Sequence, residues 1–139
     1  MASAQFISYS LAFLLNIVHF LDSCKEQEWT DNLFFNSYPF WLIIATVFLG
    51  ILQCGIVQVY LGNQKGNYYS IFASIYGIGA GGYHIPLHLL GKSEVCDNNF
   101  SYCIMVFLTL ASIMLCITTI QKMIKKEQKI PYNKVETTI

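Results

Sequence analysis

The 139-residue chain is 55% hydrophobic and 12% charged, with eight basic side chains, all lysine, balanced by eight acids. Soluble proteins carry about 25% charged residues, so there is too little polar material here to cover a water-exposed globule. Zero net charge and the lack of arginine exclude nucleic acid as a natural partner, because phosphate backbones are gripped by Arg and Lys in excess.

The charges are confined to short patches, leaving 1–21, 32–64, 66–91 and 98–121 free of Asp, Glu, Lys and Arg. A helix needs roughly 20 mostly apolar residues to cross about 30 Å of hydrocarbon, and each stretch meets that length. The fold class read from this is all-α, an integral membrane four-helix bundle in the lipid bilayer. It has a transmembrane domain over 1–121, spans near 6–21, 39–61, 68–90 and 102–120, and a basic then polar tail over 122–139.

The first span places Ser8, Ala12, Asn16, His19 and Ser23 on one helical face. It leads into a net acidic linker, 22–38, that holds Asp22, Lys25, Glu26, Glu28 and Asp31. The second span carries a weaker stripe of Thr46, Gly50, Gln53 and Tyr60, and Gly62-Asn63-Gln64-Lys65-Gly66-Asn67 then predicts a tight helical hairpin. In the third span Ser70, Ser74, Gly77, Gly81, His84 and His88 follow one another in steps of three and four. The lower half of that stripe is the small-xxx-small pattern that lets membrane helices pack closely, with Gly79 and Gly82 expected to widen the small face. Pro86 lacks an N–H and predicts a kink near Gly81-Gly82. After a second acidic linker, 91–101, the fourth span aligns Thr109, Ser112, Cys116 and Thr119.

Lysine placement sets the expected orientation. Lys65 and the tail lysines 122, 125, 126, 129 and 134 stand on one side, against Lys25 and Lys92 on the other, which puts both termini in the cytoplasm by the positive-inside rule. Trp29, Tyr38, Trp41 and Tyr102 fall where interfacial anchors belong.

In this topology His19, Asp22, His84 and His88 share a depth near the outer face. His84 and His88 are four apart, so two imidazoles on one helical face are candidate ligands for a metal or haem, with His19 as a third nitrogen and Asp22 as an orienting or fourth group. The structural alternative is that each imidazole is satisfied by a carbonyl and water, while Ser, Thr, Asn and Gln link helices at about 0.6 kcal/mol each. Three functions follow. The first is a structural or interaction protein with a small-ligand pocket near the outer face. The second is a membrane enzyme or redox protein using the His site. The third is a small transporter or channel using Asn16, Gln53 and the His pair, weakened by the lack of charge deep in the membrane.

Cys24, Cys96 and Cys103 lie in or beside the outer linkers and allow one disulfide, either Cys96–Cys103 or Cys24–Cys96. The first outer loop has Cys24 alone, where quinone-linked disulfide oxidants carry a close pair. Asn99-Phe100-Ser101 is a glycosylation sequon on the same side. In the tail, Tyr132-Asn133-Lys134-Val135 resembles a sorting signal and Glu136-Thr137-Thr138-Ile139 a strand-adding peptide ligand, so protein partners through the tail are expected beside homo-oligomer formation.

Overall fold

The computed structural model describes residues 3–26, 38–91 and 99–127, all helix or tight turn, with no strand among them. Four helices, α1 (Ala4–Glu26), α2 (Tyr38–Tyr60), α3 (Lys65–Leu89) and α4 (Asn99–Glu127), run up and down as a bundle. Each of α1 and α3 packs on both α2 and α4, and the two also touch across the bundle axis. The helices outrun the expected spans, most clearly in α4, where Lys122, Lys125 and Lys126 are helical.

By length and composition Ala4–Asp22, Phe40–Tyr60 and Asn99–Lys126 can each cross a membrane. Although long enough, α3 is diluted in apolarity by its glycines, serines, tyrosines and histidines. Its outer face is nonetheless apolar: Phe72, Ile75 and Ile78 are exposed, as are Leu42, Ile43 and Val47 on α2 and Phe107, Leu110 and Ile113 on α4. So much exposed apolar surface far exceeds the few hundred Å² that a soluble monomer tolerates, and lipid is the solvent that covers it. The interior is mixed. A core of Tyr9, Ala12, Leu52, Val59, Ala73, Ala111 and Leu115 is interleaved with buried Gln5, Ser8, Asn16, Asn67, Ser70, Ser74, Ser112 and Thr119.

The α2–α3 hairpin forms as the turn residues predict. Gly62 adopts φ +70°, its N–H donates to Val59 O (3.1 Å), and Asn63 N–H donates to Gln58 O (3.0 Å), the paired bonds of a Schellman C-cap. Three residues on, Gly66 lets α3 leave against α2, since a Cβ there would lie 2.8 Å from Val59 N. Gly91, at φ +65°, ends α3 in the same left-handed conformation, with Pro86 accommodated inside the helix.

Two expectations about faces are corrected. Gly79 and Gly82 are exposed with open space around them, so they add nothing to the packed face of α3. The α2 stripe points outward: Thr46, Gly50, Gln53 and Tyr60 are all exposed, while Ala45, Leu52, Gly55 and Val59 face the bundle.

A polar seam through the bundle as candidate functional site

The seam is built from glycines that admit oxygen atoms. The space a Cβ would take at Gly77 holds the Ser112 hydroxyl, that at Gly81 holds the Thr109 hydroxyl, and that at Gly55 holds the Tyr9 hydroxyl. Ser112 Oγ and Tyr9 OH are buried without a conventional hydrogen-bond partner. Lying against glycine backbone, they are placed for the Cα–H···O contacts that recur at close helix interfaces. Asn16 donates to Ala12 O (2.8 Å) and leaves its buried Oδ1 unpartnered in the bundle interior.

At the lysine-bearing end, Gln5 joins three helices. Its Nε2 lies 3.1 Å from Asn67 Oδ1, 3.0 Å from Ser70 Oγ and 3.3 Å from Thr119 Oγ1, and its Oε1 accepts from Lys122 Nζ at 2.8 Å. Lysine only donates, so it fixes the amide with oxygen toward Lys122 and nitrogen inward. The inward acceptors are prepared for that nitrogen. Ser70 spends its hydroxyl proton on Gly66 O and Thr119 spends its own on Leu115 O, leaving lone pairs toward Gln5. Gln5, at 2% exposure, therefore sits in a satisfied buried network, the arrangement in which polar groups stabilise and do not penalise a core. Thr119 and Ser70 belong to stripes visible in the sequence. Gln5 and Asn67 were missed because each lies outside the apolar stretch taken as its span.

The opposite end carries the histidines. His19 and His84 face each other across α1 and α3, ring centroids 6.4 Å apart at 60°. His88 turns instead to α4 and stacks on Tyr102 at 4.4 Å. Asp22 accepts a hydrogen bond from Ser101 of α4. The structure thus brings His19 together with His84, keeps Asp22 within electrostatic reach of His19 while it bonds Ser101, and places His88 in a separate contact with α4. Among the described residues no three His, Cys, Asp or Glu side chains stand close enough to hold a metal ion.

The remaining candidate residues divide as follows. Ser74 is buried on the α3 stripe and donates to Ser70 O. In the sequon, Asn99 is exposed at the start of α4 while Ser101 is buried against Asp22. Cys103 is a free, exposed thiol. Cys96, the side chain of Cys24, Trp29 and the tail motifs over 132–139 lie outside the described residues.

These features define a helical-bundle membrane protein, apolar on its lipid face and polar along its inner seam. The chain belongs to the family of unknown function DUF6713, whose match covers residues 5–122. The matched stretch includes both Gln5 and Lys122, the two ends of the hydrogen-bonded network. No curated protein and no solved structure matches it significantly.

Proposed function

We propose that this chain is a four-span membrane protein with both termini in the cytoplasm and a structural, interactive role, which it performs by pairing with a second copy through the outer face of α2. The observation that carries the reading is Gln53. Its amide, with two donors and an acceptor oxygen, stands exposed on a helix whose surroundings are lipid, with no hydrogen bond to it among the described residues. Gly50, one turn away with nothing within 4 Å of its Cβ position, and exposed Thr46 and Cys54 open the same face to close approach. Around a two-fold axis, two Gln53 amides satisfy one another reciprocally, which makes a second copy the partner that completes this face.

The test uses Cys54. A chain keeping Cys54 alone, with Cys24, Cys96, Cys103 and Cys116 replaced by Ser, is expected to form a disulfide-linked dimer in membranes under mild oxidation. Gln53→Leu is expected to weaken the dimer about 3- to 20-fold, the worth of one or two interhelical polar bonds. A chain that stays monomeric by mass photometry in nanodiscs, with Gln53→Leu indistinguishable from it, overturns the reading.

The enzyme or redox alternative rests on the facing His19–His84 pair. It expects a stoichiometric metal or haem in the purified protein, lost in His84→Ala; elemental analysis and absorbance decide it.

A further inference from the structure

We propose that the lysine-bearing end of the bundle holds a binding site for the phosphorylated headgroup of an anionic lipid. An open cleft of about 440 Å³ lies between the α2–α3 hairpin and the last turns of α4, lined by Asn63, Gln64, Asn67, Lys122, Lys125 and Lys126 together with Gly62. Its volume falls within the range of about 300–1,000 Å³ typical of small-ligand sites. Three lysines and three amide-bearing residues line it, and no carboxylate is among its described lining residues. That donor set fits a phosphate with several charged oxygens, which ammonium groups recognise as point charges.

The cleft is a built feature of the fold. Its hairpin wall is rigid, held by the two Schellman bonds and by Asn63 Nδ2 donating to Gln58 Oε1 at 2.8 Å. Its helical wall is anchored by Lys122 Nζ on Gln5 Oε1, and Lys126 Nζ approaches Gln64 Oε1 at 3.5 Å, bridging the cleft from α4 to the start of α3. A second cavity of about 230 Å³ is lined by Lys122 and Lys125 together with Ser3, Gln5, Thr118 and Gln121. Lys122 and Lys125 thus line both cavities.

A lipid source follows from position. The cleft opens at the end of three helices that are long and apolar enough to span a bilayer, the level at which headgroups lie and where basic pockets between helices take phosphorylated lipids. A soluble phosphate would gain nothing from that placement. A lipid brings acyl chains that run down the exposed apolar faces of α3 and α4, the two helices that wall the cleft.

The full-length protein in dodecylmaltoside micelles is titrated with dioctanoyl-phosphatidylinositol 4-phosphate, dioctanoyl-phosphatidylcholine and free inositol 1,4-bisphosphate. The expected result is saturable binding of the phosphoinositide, weakened by raised salt and reduced roughly tenfold to thirtyfold in K125Q/K126Q, as two headgroup-facing lysines predict. K125R/K126R should restore it. Both lysines are exposed and neither bonds Gln5, so the variants are expected to keep the wild-type thermal midpoint without lipid. Equal binding of phosphatidylcholine, or unchanged phosphoinositide binding by a folded K125Q/K126Q, overturns the site. Binding of inositol bisphosphate as tight as that of the lipid overturns the lipid assignment.

Discussion

Gly77→Leu and Gly81→Leu are each expected to destabilise the bundle by about 2–3 kcal/mol, the cost of forcing a large side chain into a close-packed interior. A Cβ at Gly77 would stand 2.9 Å from Ser112 Cβ, and one at Gly81 would stand 2.9 Å from Thr109 Cβ and 3.1 Å from its Cγ2. In each case the hydroxyl oxygen is closer still. Neither obstacle is the flexible end of a long side chain. Ser and Thr branch directly from the α4 backbone, so relief requires α3 and α4 to separate. Separation also pulls Tyr102 from His88 and Thr119 from the Gln5 network, because both ride on α4. Gly79→Leu and Gly82→Leu form the control, since both positions are open and lipid-facing. They should stay within about 0.5 kcal/mol of the parent, as surface substitutions do. Unfolding free energies of the four variants, from denaturing-detergent titration followed by circular dichroism, measure the contrast. Four similar values would mean that the α3–α4 contact is not close.

The second large effect is expected at Gln5. Gln5→Leu should cost about 1–3 kcal/mol, because it removes two N–H donors shared among three buried acceptors whose own protons are committed or absent. Leucine nearly fills the volume, so the loss reports polarity and not a cavity. The diagnostic is coupling. Thr119→Val removes one acceptor, and it should cost about 1 kcal/mol less in the Gln5→Leu background than in the parent, as partners in one network do. Additive costs would show that Gln5 and Thr119 do not act together. Lys122→Gln should be mild by comparison. The lysine is only part-buried, and a glutamine there can still donate to Gln5 Oε1.

Much of the fold is legible from charge placement alone. The four helices, the hairpin at Gly62 and the small-residue contact at Gly77 and Gly81 follow from residues that obey one local rule each. The site was harder to read. His84 and His88, four apart, share a helical face by spacing, yet one meets α1 and the other α4, because a face about 40° wide in azimuth can touch two neighbours. Gln5 stands just before the first expected span, and its partners stand 62, 65 and 114 positions away in the chain. No local pattern connects them.

Solvent and secondary structure are both written in the charge pattern. Charge-free stretches of membrane length require lipid, and lipid requires helices with their backbone bonds satisfied internally. Which face of each helix turns inward emerges from the packing of the bundle. In water, hydrophobicity points a helix toward its core; in lipid the outside is as apolar as the inside, so that signal is lost. Rotation is then set by close packing and cross-helix hydrogen bonds. That is why the polar stripe of α3 faces the seam while the similar stripe of α2, with Thr46, Gly50 and Gln53, faces out.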